Sequence, residues 1–410
     1  MADTNTTRKK HFILLGGGFV GSYLATEILK RSLEDQDYSY KITVIDKDMN
    51  TGTETATDYK LLKIKENIDK LYPEIDTPEK IFEGSEEKMN LLQMDLSSFT
   101  QFPSTVINTI FNETDPLENY SEDDRIIIFN LAANLGVQNV IEDKNYLQRE
   151  LLLQDSLFMI NQELYYSLID LEKDPKKILT INYFSTSEVY GDKKYMREDS
   201  SCEIHLNNPN YSFERQRYAL IKLFTEALYK EFHLNTEIDV NIIRPFNVIG
   251  PFQNENFVIP KMFSNLINDP HKITIYGDGL QKRTFIYVKD FVVSLLDFID
   301  RKASDEEKRY SCEFINLANI MNVFAVKDLA IKIINTVNEN NYLKNFIPED
   351  SDYSEVYFGD FIEYLEVDGY VGEKERVPNI NKLYKEYRVK PRTPLTKILK
   401  IYKDIHYSNI

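Results

Sequence analysis

Cysteine is scarce: only Cys202 and Cys312 occur in 410 residues, far apart and without the short spacing of a metal knot. That predicts a reduced, cytosolic protein rather than a disulfide-stapled secreted one. The five histidines form no H-x-x-x-H or similar pair, so no metal site is expected. Basic charge is in deficit, 49 residues against 66 acidic ones, for a net charge of −17. The balance argues against nucleic acid or an anionic membrane as a partner, and any anionic substrate has to be met by local cations. No apolar run approaches the roughly 20 residues that span a bilayer. Arg8-Lys-Lys10 before an apolar stretch has the outline of a secretory leader, but the glycines and amphipathic pattern that follow make it the first strand of a fold instead. Repeats and low-complexity tracts are absent.

His11-Phe-Ile-Leu-Leu15 is an apolar strand that runs into Gly16-Gly-Gly-Phe-Val-Gly21, and helical periodicity continues from Ser22 to Arg31. Gly16, Gly18 and Gly21 form G-x-G-x-x-G. In a strand-turn-helix the first glycine makes the turn, the second admits a pyrophosphate and the third lets helix and strand pack. The free N–H groups of the helix start then face the phosphates. A second strand, Lys41-Ile-Thr-Val-Ile-Asp46, ends in a carboxylate suited to ribose hydroxyls and repulsive to a 2′-phosphate, which favours NAD over NADP. Lys47 beside it weakens that preference.

Further along, Phe184-Ser-Thr-Ser-Glu-Val-Tyr-Gly191 reads as a buried strand ending in hydroxyls and a carboxylate, and Tyr218-Ala-Leu-Ile-Lys222 puts a phenol and an ammonium one helical turn apart. A cation held near a phenol, whose free pKa is about 10, favours the phenolate. Together these stretches offer a proton acceptor, an aligning hydroxyl and a second acid/base group. Taken alone, the Tyr-Lys pair also suits an ordinary helix with a half-buried Tyr and a solvated Lys.

Apolar runs at Ile126–Ala133, Lys177–Phe184 and Val240–Pro245 alternate with helical patterns at Leu157–Leu171 and Arg217–Phe232, and Met89–Asp95 is a further strand. Such alternation predicts an α/β fold, a doubly wound parallel-sheet Rossmann domain with a smaller C-terminal lobe. Residues 1–247 form the NAD-binding domain, with a rim insertion at about 50–88 in which Ile64–Tyr72 looks helical. Residues 248–410 form mainly the substrate-binding lobe, with about 311–335 returning to the first domain.

The ordered set GGGFVG, Asp46, Met94-Asp95-Leu96, Asn130-Leu-Ala-Ala133, STSEVYG, YALIK, Arg244-Pro-Phe-Asn-Val-Ile-Gly-Pro251, Tyr276-Gly-Asp-Gly-Leu-Gln-Lys-Arg283, Asn316-Leu-Ala-Asn319 and Arg376-Val-Pro-Asn-Ile380 resembles the extended short-chain dehydrogenase/reductase superfamily, the nucleotide-sugar epimerases, dehydratases and decarboxylases. One departure is the turn, where Leu15 stands in place of the first glycine of the usual G-x-x-G-x-x-G. Within the superfamily the chain is most similar to UDP-glucuronate decarboxylases. Dehydratases of the dTDP-glucose type carry an acid where Ser187 stands, and apiose/xylose synthases a Cys.

The resemblance implies NAD held by Gly16, Gly18, Phe19, Val20, Gly21, Asp46, Asp95, Leu96, Leu131, Ala132, Ala133, Tyr218 and Lys222. It implies catalysis by Thr186, Glu188, Tyr218, Lys222 and Arg283, and contacts to a UDP-linked sugar from Ser187, Asn247, Arg283 and Arg376. Tyr218 takes the O4 proton, Thr186 aligns that oxygen, and the 4-ketone turns the C6 carboxylate into a β-keto acid that loses carbon dioxide. Arg283 has a second reading as a diphosphate ligand, Glu188 and Asn247 as turn residues; Tyr190 is expected to pack near the nicotinamide. Alternatives are 4-epimerisation, which needs only Thr186, Tyr218 and Lys222, 4,6-dehydration, and a non-catalytic NAD-sensing role. A homodimer formed through the Tyr-Lys helix and a neighbouring helix is also implied.

Overall fold

A computed structural model of the protein describes residues 7–49, 53, 56–97, 103–134, 137–191, 193, 196–200, 202, 213–268, 272–340, 342–343, 361–366 and 374–408. Part of the expected insertion, 50–52 and 54–55, lies outside them.

Apolar side chains on both sides of a strand demand cover on both faces, and this sheet has it. Seven parallel strands run in the order β3-β2-β1-β4-β5-β6-β11, where β1 is Arg8–Leu15, β2 Tyr38–Asp46, β3 Met89–Gln93, β4 Arg125–Asn130, β5 Leu179–Phe184, β6 Asp239–Pro245 and β11 Cys312–Leu317. The two-residue period of a strand sorts β1 cleanly. Phe12 and Leu14 enter the core on one face, Ile13 and Leu15 the core on the other. Chain order reverses between β1 and β4, which pair from Lys10↔Arg125 to Leu15↔Asn130. In an open parallel sheet this reversal leaves a crevice at the carboxyl ends of the strands.

Seven further short strands lie among the described residues. They are β7 Val248–Ile249, β8 Ile273–Tyr276, β9 Lys282–Thr284, β10 Ile286–Tyr287, β12 Val323–Ala325, β13 Ile362–Leu365 and β14 Glu375–Arg376. They make three small sheets, and in one of them β9 lies between β12 and β14. Five helices bear on the site: α1 Phe19–Arg31, α2 Thr57–Glu66, α3 Tyr146–Asp170, α4 Phe213–Thr236 and α5 Leu395–His406.

Several boundaries differ from the sequence expectation for local reasons. β4 stops at Asn130 rather than Ala133, because Leu131 and Ala132 both turn their N–H groups onto Leu15 O, at 2.9 and 2.8 Å. β5 starts at Leu179, since Pro175–Ile178 form a helical turn capped by Asp174. The helix expected over Ile64–Tyr72 breaks at Asn67, and the longer element is α2 before it. No helix among the described residues is long and apolar enough to cross a membrane, and they contain no group of three or more His, Cys, Asp or Glu side chains that could hold a metal ion.

Candidate active site

The glycine turn is built by close approach. Gly16 has φ +115°, and a Cβ there would sit 2.6 Å from Ala132 N. A Cβ on Gly21 would sit 2.4 Å from Gly16 O, so helix α1 reaches its strand only with hydrogen at that position. Gly18 differs: a Cβ there would meet nothing within 4 Å. β1 runs through a fully buried Leu15, so the turn begins at Gly16 and not one glycine earlier. Gly17 N donates to Asp46 Oδ2 at 2.7 Å, tying the turn to the acid at the end of β2.

Gly16, Gly18, Phe19, Val20, Gly21, Asp46, Asp95, Leu96, Leu131, Ala132 and Ala133 all line one cavity of about 990 Å³. An open glycine, a helix start without a side-chain cap and a carboxylate at the strand end fit a dinucleotide. Two walls of the cavity come from outside the glycine-turn motif. Tyr59, Lys60, Lys63 and Asn67, from the expected rim insertion, line it as well. Tyr402, Ile405, His406 and Tyr407 close the other side from the end of α5. Burial lowers the pKa of Lys60 while Asp46 and Asp48 oppose the fall.

Of the catalytic candidates, all outside that lining, Thr186, Glu188, Tyr218 and Lys222 gather around the carboxyl end of β5, while Arg283 stands on β9. Lys222 is 1% exposed, and its Nζ donates to Phe184 O at 2.9 Å. The ammonium stands 5.1 Å from the Tyr183 ring centroid and 5.8 Å from that of Tyr218. Burial pulls Lys222 down to about 8, with Glu150 and Glu226 opposing the shift. Tyr218 moves the other way: burial pushes its phenol well above the ordinary 10.0, Glu150 and Glu188 add to this, and a hydrogen bond with Thr186 counters it. In the free site, burial and the Glu150 and Glu188 carboxylates thus work against the phenolate that Lys222 is expected to favour.

Thr186 Oγ1 accepts from Glu188 N at 3.2 Å, a local turn that sends the Glu188 side chain outward beside buried Ser187. Arg376 Nη1 then donates to Glu188 Oε1 at 3.1 Å. Arg376 is 5% exposed, and β14 puts it in register with Arg283 on β9. The fold thus brings Thr186, Ser187, Glu188, Tyr218 and Lys222 together and joins Arg376 to Glu188. Asn247 is occupied otherwise, its Nδ2 donating to Thr284 O at 2.8 Å. The Tyr190 hydroxyl donates to Asn316 Oδ1 at 2.7 Å and accepts from Arg244 Nη1 at 2.9 Å.

Beneath the site lies a network that reading the sequence missed. Arg244 donates to Glu226 from Nε at 2.9 Å and from Nη2 at 2.6 Å, a bidentate pair in which each side chain is 3% exposed. Ser185 Oγ donates to the same carboxylate at 2.5 Å. Glu226 lies one turn beyond Lys222, so a four-residue spacing continued from Tyr218 would have found it. Glu150, fully buried on the inward stripe of α3 with Leu153 and Leu157, was missed as well. Its trace in the sequence is a charge at an apolar helical position.

Comparison with known proteins places these features in context. The model of the NAD dependent epimerase/dehydratase family matches residues 12–312. A dTDP-D-glucose 4,6-dehydratase of Dictyostelium discoideum is 30% identical over 234 residues, 54% of this chain and 48% of that protein. The chain therefore spans about half the length of that relative. A UDP-N-acetyl-alpha-D-glucosaminuronate decarboxylase of Bacillus cytotoxicus is 25% identical over 302 residues, 73% and 74% of the two chains. Among solved structures, a UDP-glucuronic acid 4-epimerase from Bacillus cereus, in complex with UDP-glucuronic acid and NAD, shares the fold with a TM-score of 0.62 at 19% identity, covering 98% of this chain and all of that one.

Proposed function

Because the chain belongs to the NAD dependent epimerase/dehydratase family, we propose that it modifies a UDP-linked sugar through a transient 4-ketone, and that the reaction is decarboxylation of UDP-glucuronate. Gly16, Gly18, Phe19 and Asp46 would hold NAD in the glycine-turn cavity, where it would supply the acceptor and later the donor of the C4 hydride. Thr186 and Tyr218 hold the sugar O4, and Tyr218 takes its proton. Lys222 places a positive charge beside that proton transfer. The 4-ketone then accepts the electron pair released when the C5–C6 bond breaks and carbon dioxide leaves. Protonation of the enolate at C5 and return of hydride to C4 complete the pentose.

What carries this reading is Glu188, a carboxylate next to Thr186 and ion-paired with Arg376 at 3.1 Å, with Arg283 on the adjoining strand. An acid/base group beside the reacting carbon serves the C5 protonation, and guanidinium forks suit a sugar carboxylate and a diphosphate. In a strongly acidic chain these are the local cations that an anionic substrate requires. Glu188→Gln is expected to cut carbon dioxide release by about 10²- to 10⁴-fold while leaving 4-epimerisation of a UDP-hexose within about tenfold of wild type. Equal loss of both reactions would remove the special role of Glu188.

The second reading, 4-epimerisation, is favoured by the Thr186–Tyr218 hydrogen bond with Lys222 beside it, the three groups that this reaction needs. We also propose that two copies pair through α3 and α4. Leu151, Met159 and Tyr166 fall on one side of α3 at 42, 44 and 55% exposure, and Phe224 of α4 is 54% exposed. Sedimentation is expected to give a dimer for the wild type and a monomer for Phe224→Glu.

A further inference from the structure

Beside Tyr218 and Lys222 lies a carboxylate with no part in the steps above. Glu150 is 0% exposed. An ionised carboxylate at such a position is costly unless donors surround it. Glu150 Oε2 accepts from Asn134 N at 2.8 Å and from Asn134 Nδ2 at 3.0 Å. Glu150 Oε1 accepts from Gln154 Nε2 at 2.9 Å, and Gln154 Nε2 also donates to Ala132 O at 3.1 Å. The Tyr146 hydroxyl donates to Asn134 O at 2.8 Å. The first turns of α3 therefore fasten the 131–134 loop, which lines the cofactor cavity.

The donors described for Glu150 are all amides, which satisfy its oxygens without cancelling its charge. That charge acts on α4, where Glu150 is the leading side-chain influence on both Tyr218 and Lys222 and raises each of them. Resting on the reading of Tyr218 as proton acceptor, we propose that Glu150 is a positioning residue that ties the cofactor-side loop to α3 and, from α3 where it packs against α4, sets its carboxylate against Tyr218 and Lys222.

The surrounding charges define the test. Glu188 faces Tyr218 from the turn after β5, and Glu226 faces Lys222 from its own helix. Tyr183 of β5 contributes a ring to Lys222. On α3, Tyr146 lies beside Glu150, with the Arg217 guanidinium 5.7 Å from its ring centroid. Glu150→Gln removes only the one charge. Because that charge raises both groups, both must fall: Tyr218 loses its proton more readily, and so does Lys222. Both limbs of the kcat/KM profile, whose active form needs Tyr218 deprotonated and Lys222 protonated, are expected to move to lower pH. The new amide also meets an amide donor, so calorimetric NAD affinity without substrate is expected to fall about tenfold.

Gln154→Leu keeps the charge but cuts the tie to Ala132, and is expected to weaken NAD while leaving both limbs in place. Limbs that stay put in Glu150→Gln, or move to higher pH, overturn the electrostatic role, and unchanged NAD affinity overturns the tie. If Glu150→Gln does not fold, Glu150→Asp draws the carboxylate back by one methylene. A smaller movement to acid then sustains the proposal, and none overturns it. The comparison is made on whichever sugar reaction the wild type performs, so a different product disproves the decarboxylase reading without touching this one.

Discussion

Tyr218→Phe is expected to lower kcat by about 10²- to 10⁴-fold, the range for losing a positioned acid/base group. Phenylalanine keeps the ring that packs beside Lys222 and removes only the hydroxyl that bonds Thr186. NAD affinity and thermal unfolding should therefore match the wild type, with the loss confined to hydride transfer. Single-turnover formation of reduced nicotinamide on adding UDP-glucuronate reads that step directly. A variant within about tenfold of wild type would mean that the O4 proton leaves by another group.

Arg244→Met carries the largest expected effect on stability. It strands Glu226 as an uncompensated carboxylate where both partners are 3% exposed. Breaking a buried pair from one side costs about 3–5 kcal/mol. The remaining charge also sits one turn from Lys222, whose protonated form it favours. Denaturant unfolding should show the loss, and Arg244→Met with Glu226→Gln should recover part of it, since the charge left behind is the cause. A change below about 1 kcal/mol in the single variant would mean that the pair is solvated.

Local features of this fold were legible in the sequence, and distant ones were not. β1, β4, β5 and β6 read as apolar runs because a parallel sheet is covered on both faces. The glycine turn and Asp46 were legible for the same reason, since strand, turn and acid follow one another within one supersecondary unit. The strand ends were not, because Leu131 and Ala132 leave β4 to bond Leu15 O across the sheet. Tyr218 and Lys222 could be placed on one helical face from spacing alone, whereas their acidities depend on Glu150, Glu188 and Glu226 from three separate elements. Arg376 reaches Glu188 across 188 residues of chain, a contact with no local trace. The wall that α2 contributes to the cavity was also hidden. Gly17 leaves room there for Thr57, whose side chain a Cβ on Gly17 would approach to 2.5 Å, and nothing in the polar composition of that segment announces the contact.

The proposed reaction of this site is conversion of a UDP-uronate through a 4-ketone with loss of its carboxylate. Incubation of the full chain with NAD and UDP-glucuronate, following released carbon dioxide together with the sugar nucleotides, tests it most directly. The expected result is carbon dioxide with UDP-xylose or its 4-keto pentose. UDP-galacturonate without carbon dioxide, or no turnover of UDP-glucuronate at all, would contradict it.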